Sequence, residues 1–196
     1  TLDISNVHKS LDAVRIDEII SLDVEQPILE FKQGCLSLNK QRTIDDKLFD
    51  KIINTICAIA NTTHDGSIII GVADNDNDAN KIAQLDNIVP RTVYRRKVVG
   101  IDREAKQLGK QLDDYIKLWQ NRIENSNLSE PLKTDVLSRF AYIPYYGLGL
   151  ILINIPKQDA LSFVGDKAYW RKIDNTTVID AEADPRKIAE LASKFK

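Results

Sequence analysis

Three acidic side chains, Glu25, Glu30 and Asp74, have the type and the positions that metal chemistry would need. Clustered carboxylates hold Mg²⁺ or Mn²⁺ through oxygen ligands, and such a metal stabilises charge on a phosphate and activates a nucleophile. Glu25 and Glu30 lie an odd number of residues apart, so an ideal strand would direct them to opposite faces. Pro27 lies between them and can break that alternation. The sequence therefore allows the three carboxylates to converge.

The same acids also fit structural roles. Glu30 and Lys32 could form a surface ion pair, and Asp74 could cap a loop, as charged groups at strand ends often do. A calcium-binding loop that begins at Asp74 is excluded, because its sixth position would be Ala79 rather than Gly and its last Leu85 rather than Glu. The chain also lacks the glycine-rich loops that bind nucleotides.

Basic residues that could contact phosphates are concentrated near two of these acids. Strand alternation places Lys32 on the same face as Glu30, with Phe31 on the opposite face and in the core. Arg95, Arg96 and Lys97 form a cluster further along the chain. The formal net charge is −2, whereas domains that coat nucleic acid are usually basic. Any contact with nucleic acid must therefore come from a local patch.

Apolar periodicity predicts the elements that would position these groups. Segment 28–32 alternates and predicts a strand. A helix is predicted to begin at Thr43 or Asp45 and to end near Asn61. The continuous β-branched run at 67–72 predicts a strand that is covered on both faces. One acid would then lie in the first strand and another directly after the second.

The rest of the chain predicts further helices and strands. A polar loop is predicted at 74–80, followed by an irregular stretch at 81–100 and one helix over 103–124. The last third predicts four strands, at 140–145, 150–155, 161–164 and 168–171, and a final helix that begins at Asp184 and Pro185. The order predicts an α+β fold with a mixed β-sheet and flanking helices.

Several motifs together resemble the Schlafen AlbA_2 domain family. They are an acid-x4-acid-Phe-Lys segment at 25–32, a helix ending in Ala-x-Ala-Asn-Thr at 58–62, a turn at Gly66 and an apolar strand closing in Gly-Val-x-Asp at 71–74. Later segments are similar to that family as well: 98–101, the Pro-terminated strand at 150–156, the aromatic-Arg strand at 168–172 and the Thr-containing loop at 175–177. The turn at 64–66 and the stretch 75–97 depart from the family pattern.

The resemblance implies a nucleic-acid-binding domain. In nuclease members, three acids at these positions resemble a metal-dependent site that cuts tRNA and rRNA. By this resemblance, the expected catalytic residues and ligands of Mg²⁺ or Mn²⁺ are Glu25, Glu30 and Asp74. The expected activity is that of an endoribonuclease with a role in stress or antiphage defence. The expected phosphate contacts are Lys32, Arg95, Arg96, Lys97, Arg171 and Lys172.

Two other functions stay open. The first is a non-catalytic module that binds DNA or RNA and targets a fused ATPase or regulator domain. The second is a structural or oligomerisation domain, which the net negative charge favours. RNA is the favoured partner and DNA the alternative. Because relatives build a groove from two lobes of this kind, the resemblance also leaves room for a homodimer.

Composition limits the class of protein. The chain has 196 residues, 43% of them hydrophobic, and no stretch apolar enough to cross a membrane. Its two cysteines, Cys35 and Cys57, form no CxxC pair, so we expect buried thiols and a cytoplasmic location. The chain contains no methionine, and we expect a fragment of a longer protein. The expected organisation is an N-terminal arm with a short helix at 1–24, the main domain at 25–182 and a C-terminal helix at 183–196.

Overall fold

A mixed four-stranded sheet, in the order β1-β2-β6-β5, forms the centre of the fold. β1 (Leu29–Lys32) runs parallel to β2 (Gly66–Ile70), whereas β6 (Leu150–Ile155) pairs antiparallel with both β2 and β5 (Phe140–Ile143). The predicted α+β class is confirmed. The computed structural model describes residues 14–22, 26–174 and 177–195.

Helices and two small hairpins surround this sheet. One hairpin pairs β3 (Arg91–Val93) with β4 (Arg96–Val98), and the other pairs β7 (Tyr169–Asp174) with β8 (Thr177–Glu182). The helices are α1 (14–20), α2 (Asp46–Ala60), α3 (Asp76–Asp86), α4 (Asp102–Gln107), α5 (Leu112–Glu124), α6 (Leu132–Ser138) and α7 (Pro185–Ala192), followed by a 3₁₀ turn at Ser193–Phe195. No helix within the described ranges is long and apolar enough to cross a membrane.

Both faces of the sheet are covered, as the continuous apolar run in β2 predicts. Ile68 and Ile70 belong to the core cluster that contains α2 and α5, and Ile69 belongs to a second cluster with α1 and the β3–β4 hairpin. In the parallel register, Glu30 lies opposite Ile68 and Lys32 opposite Ile70. Phe31 is buried, whereas the two charged residues beside it are half-buried. The sequence therefore predicted the faces of β1 correctly.

The helix α2 begins and ends near the predicted residues. The Asp45 side chain caps its first turn by accepting a hydrogen bond from the Lys47 N–H. At the other end, Asn61 donates to the carbonyls of Ser162 and Tyr169 at 3.0 and 2.9 Å. This buried amide joins the helix end to the β7 strand and to the loop before it.

The stretch 74–100 differs from the prediction of a polar loop and an irregular segment. Asn75 caps α3 by accepting from the Asp78 N–H at 2.9 Å, and Ala79 and Ile82 are the only apolar residues of this helix that are buried. The helix was missed because its apolar stripe is so narrow. Capping and acidic residues in its first turn supply the local signal instead.

The long helix predicted over 103–124 is two helices, α4 and α5. Gly109 adopts φ +60° directly after α4, and its N–H donates to the Lys106 carbonyl. The Lys110 N–H donates to the Ala105 carbonyl, which completes the hydrogen-bond pattern of a Schellman C-cap. The apolar periodicity continued across this break and concealed it.

The last third also departs from the prediction. The predicted strand 161–164 is wrong, because only Val164 makes isolated bridges, with Leu128 and Lys167. β8 was missed, although it pairs along its whole length with β7. The helix α6 was missed as well. The final helix is confirmed, with the Asp184 side chain accepting from the Lys187 N–H at 2.8 Å.

The terminal segments pack on the domain where the structure describes them. Ile16 and Ile20 of α1 are in the core cluster of the β3–β4 side, and Leu191 of α7 packs in a small cluster with the β7 region. The predicted domain limits remain predictions. Cys35 and Cys57 are buried free thiols.

A fully buried carboxylate, Glu104, fixes the loop that leaves β1. It accepts hydrogen bonds from the backbone N–H groups of Cys35 and Leu36 at 2.9 and 3.1 Å. The Tyr115 hydroxyl donates to it at 2.5 Å, and Arg103 pairs with it at 3.1 Å. A buried charge is tolerated only when such partners compensate for lost water.

Arg103 extends this network to α3. Its guanidinium also pairs with Asp86 at 2.6 Å, and Asp86 pairs with Arg42 at 2.6 Å. Gly34, at φ +144°, allows the loop to approach the network, because a Cβ there would lie 2.1 Å from a Glu104 oxygen. The β1 loop, α3 and α4 are thus joined through buried charges.

We predict that Glu104→Ala lowers the free energy of unfolding by about 3–5 kcal/mol, because it leaves Arg103 and two backbone N–H groups buried without their partner. Chemical denaturation measures this change. Glu124→Ala, at an exposed position at the end of α5, is the control and should change stability by less than about 0.5 kcal/mol. Similar stability of the two variants would contradict the role given to Glu104.

Candidate functional site

A pocket of about 500 Å³ opens where β1 and β2 end. Parallel strands present their carboxyl ends at the same edge of a sheet, which is where ligands commonly bind in such sheets. The Lys32 carbonyl accepts from the N–H groups of Gly71 and Val72, so the chain stays close to β1 as it enters the pocket. The lining residues are Glu30, Phe31, Lys32, Ala73, Asp74, Asn75, Asp76, Arg95, Arg96, Lys97 and Val178.

Asp74 is held at the pocket by the backbone on both sides. Before it, the Ala73 N–H donates to the Lys97 carbonyl at 2.9 Å. After it, Asn75 is the N-cap of α3. Among the described residues, the Asp74 carboxylate has no hydrogen bond and no ion pair. Its position is therefore set by the main chain and leaves the carboxylate available for a ligand.

The pKa of Asp74 is raised above its ordinary value. Loss of water to the surrounding protein is the main cause. The cation of Lys32 opposes this increase, whereas the carboxylates of Asp78 and Glu30 add to it. Asp74 and Glu30 are therefore close enough to affect each other. A cation in the pocket would stabilise the ionised form of Asp74.

Glu30 is held by two cationic groups. One carboxylate oxygen pairs with Lys32 at 2.5 Å, and the other pairs with Arg171 at 2.8 Å. Arg171 also pairs with Asp180 at 2.9 Å, and Asp180 accepts from the Thr55 hydroxyl at 2.6 Å. The chain of contacts runs from α2 through the β7–β8 hairpin to the edge of the central sheet. It positions Glu30 and neutralises its charge.

Arg171 and Lys172 lie away from the open surface of the pocket. Arg171 is only 8% exposed and its guanidinium faces Glu30. Lys172 is exposed but does not line the pocket, because alternate residues of a strand face opposite sides. Neither residue lines the pocket together with the basic residues of the β3–β4 hairpin. Their predicted role in binding nucleic acid stays a prediction.

The three basic residues of the hairpin differ in what they contact. Arg96 donates to the Leu22 carbonyl at 2.8 Å, and its guanidinium lies 4.6 Å from the centre of the Phe31 ring. It therefore fixes the hairpin to the domain. Lys97 donates to Thr92 within the hairpin at 2.7 Å. Arg95 is in the turn and lines the pocket.

The third predicted acid, Glu25, lies outside the described residues. Within the ranges that are described, no group of three or more His, Cys, Asp and Glu side chains has the arrangement of a metal site. The chemistry of Asp74 fits a divalent ion, because its carboxylate is desolvated and unpaired there. Glu30 would be free to hold the same ion only if the ion pair with Lys32 opened. The metal role of all three acids stays a prediction.

Sequence reasoning did not find Asp180 and Thr55, which support Glu30 through Arg171. The β-branched run at 177–179 was the available signal, because it would have predicted β8 and placed Asp180 beside Arg171.

A model of the family described as Schlafen, AlbA_2 matches residues 25–180. The chain belongs to the Schlafen AlbA_2 family. The matched range contains every candidate site residue, including Glu25. Membership suggests a nucleic-acid-related domain. No curated protein and no solved structure matches the chain.

We predict that Asp74→Asn raises the thermal unfolding midpoint at neutral pH when EDTA removes divalent cations. A carboxyl group whose folded-state pKa is raised binds its proton more tightly in the native state, so its ionisation costs stability. This loss of stability is absent below the ordinary pKa of 3.8 and reaches its full size above the raised pKa of the folded state. The gain from Asn should therefore appear as the pH rises from acid to neutral.

Thermal unfolding at a series of pH values measures this difference. Asp166→Asn, in the exposed turn before β7, is the control and should show no such rise. If Asp74→Asn has the same unfolding midpoint as the unmodified chain at every pH, the electrostatic description of the pocket is wrong.

Proposed function

We propose that this Schlafen AlbA_2 domain binds RNA in the pocket at the ends of β1 and β2 and is a divalent-metal-dependent endoribonuclease. The substrate class is structured RNA such as tRNA. The role in stress or antiphage defence that the family resemblance implies belongs to the same proposal. One observation carries it: the carboxylates of Glu30 and Asp74 share a pocket with Lys32, Arg95 and Lys97.

The mixture of charges in the pocket suits phosphodiester chemistry. Phosphates need cationic partners, and Arg95 and Lys97 at the rim supply them without a basic domain surface. Carboxylates beside these cations would repel a phosphate unless a cation compensates for them. Glu30 and Asp74, with Glu25 as the third ligand, would hold Mg²⁺ or Mn²⁺ through oxygen atoms. When bound, the ion would stabilise charge on the scissile phosphate and lower the pKa of a bound water.

The residues of the chain have separate roles in this proposal. Arg171 holds the Glu30 carboxylate in place through an ion pair that is shielded from water. Lys32 neutralises the other Glu30 oxygen in the absence of a metal, and it is close enough to Asp74 to oppose the increase in the pKa of that carboxyl. On ligand binding, Lys32 would release Glu30 and turn towards a phosphate.

A second candidate function has its own support. Both Glu30 oxygens already have cationic partners, which is the arrangement expected if Glu30 is structural. The domain would then bind RNA or DNA without cleaving it and would bring a fused effector domain to the nucleic acid.

We predict that the domain cleaves end-labelled tRNA in the presence of Mn²⁺ or Mg²⁺ but not of EDTA. Asp74→Asn should lower the cleavage rate by at least about 100-fold, since loss of a partner that only orients a ligand already costs 10–100-fold. Binding of the RNA should be preserved or improved, because a negative charge that faces phosphates is removed. Gel-resolved cleavage and a separate binding assay in EDTA measure the two effects.

Asp166→Asn is the control and should cleave at the unmodified rate. Cleavage by Asp74→Asn at the unmodified rate in Mn²⁺ would exclude the carboxylate mechanism. Binding without cleavage in every variant would support the non-catalytic module.

We predict that the double variant Arg95→Gln with Lys97→Gln binds RNA more weakly and with a shallower dependence on salt. Each lost phosphate contact should reduce the slope of log K against log salt by about one. Fluorescence anisotropy over a salt series in EDTA measures the slope. Lys110→Gln, at an exposed position after α4, should leave it unchanged. An unchanged slope in the double variant would remove the hairpin from the interface.

A further inference from the structure

The turn of the β3–β4 hairpin presents an aromatic ring to solvent beside the pocket. Tyr94 is 58% exposed. It directly precedes Arg95, which lines the pocket, so the two Cα atoms are only about 3.8 Å apart. The hairpin is fixed to the domain at Val93 and Val98, which are buried in the core. The turn that carries the ring is thus anchored to the domain next to the proposed phosphate site.

The backbone at Tyr94 is unusual for a tyrosine. Its φ is +54°, a region that glycine and asparagine adopt readily and that is uncommon for a bulky residue. Two-residue hairpin turns normally have Gly, Asn or Asp at such positions. Tyrosine is thus not the residue that turn stability alone would favour. Its side chain requires another reason, and strained residues cluster at ligand-binding sites.

The chemistry around the ring matches an unpaired nucleobase. Aromatic faces stack on bases, which all present a π-face. The Arg95 guanidinium lies 5.3 Å from the centre of the Tyr94 ring, so one cationic group accompanies both the ring and the pocket. RNA-binding proteins combine aromatic stacking with cationic contacts to the backbone in this way. In duplex RNA the base faces are covered by their neighbours and cannot reach the ring.

We propose that Tyr94 stacks on an unpaired nucleobase of an RNA whose phosphates occupy the neighbouring pocket. The proposal rests on the RNA-binding function proposed above, and it specifies the substrate: the domain selects single-stranded segments, such as the loops and ends of a structured RNA. Arg95 and Lys97 bind the RNA backbone, and Tyr94 stacks only on bases that are not already stacked on both faces.

A second tyrosine supplies an internal comparison. Tyr146 is 55% exposed and has φ +44°, which makes it similar to Tyr94. However, the Arg91 guanidinium lies 3.8 Å from the centre of the Tyr146 ring, and the ring packs edge-on against Tyr145 at 4.9 Å. Tyr146 does not line the pocket. Its ring already has protein partners, and it is the matched control.

The test compares Tyr94→Asn, Tyr94→Phe and Tyr146→Asn with the unmodified chain. Fluorescein-labelled oligouridylate is the single-stranded probe, and the same strand annealed to oligoadenylate is the duplex probe. Anisotropy in EDTA gives the affinities, and thermal unfolding gives the stability. Tyr94→Asn should bind the single strand about tenfold more weakly, with duplex binding unchanged. Its unfolding midpoint should stay the same or rise, because Asn tolerates the backbone conformation.

Tyr94→Phe should keep the affinity of the unmodified chain, because it keeps the ring, and Tyr146→Asn should bind normally. Unchanged single-strand binding by Tyr94→Asn would overturn the stacking proposal while RNA binding stands. Equal losses from both Asn variants, or a loss that also affects the duplex, would overturn it as well. If the unmodified chain binds neither probe at low salt, the proposed function fails together with it.

Discussion

The parallel pairing of β1 with β2 determines where the candidate site lies. Two parallel neighbours require a crossover, and α2 supplies it, packing across the sheet face that contains Ile68 and Ile70. Because the strands run in the same direction, both leave the sheet at the same edge. Glu30, Lys32 and Asp74 come together at this edge. An antiparallel arrangement would have placed the chain after β2 at the far end of β1.

Buried charge makes this edge rigid. Arg171 joins the Glu30 carboxylate to Asp180 under the β7–β8 hairpin, and Glu104 holds the loop after β1. Such pairs contribute little net stability, because each charge loses water on burial. They do fix geometry, since an alternative packing would leave a charge unpaired. The edge of the sheet that forms the pocket is therefore held in one arrangement by interactions that an all-apolar edge would not provide.

Sequence reasoning was accurate where the apolar pattern was broad. The run Ile68-Ile69-Ile70 predicted a strand covered on both faces, and the pair Asp184-Pro185 located the final helix. Sequence reasoning failed where an element depends on tertiary contacts or on a single residue and has no broad apolar pattern of its own. The helix α3 has only a narrow apolar stripe, and the break between α4 and α5 depends on a single glycine within a continuing period.

The candidate site shows the same limit. Glu30, Lys32 and Asp74 were placed together because their strands were recognised. Arg171 was predicted to contact phosphate, and its burial was not predicted. Its burial follows from the packing of β7 and β8 over the edge of β1, and β8 was not predicted. The role proposed for Tyr94 rests partly on a backbone angle that no residue pattern specifies.

The electrostatic potential at the pocket depends more on the charged residues around it than on the net charge of the chain. Exposed charges are screened over about 8 Å at physiological salt, so acids on distant helices affect the pocket weakly. Within the pocket, Asp74 and Asp76 lie beside Arg95 and Lys97. In the proposed complex, a phosphate would be attracted on the hairpin side and repelled on the α3 side, and this difference would orient the RNA backbone. The Tyr94 ring, at the hairpin turn, would lie on the side that attracts the backbone in this proposal. Charges of both signs in one pocket would therefore favour one orientation of the proposed RNA, at some loss of affinity.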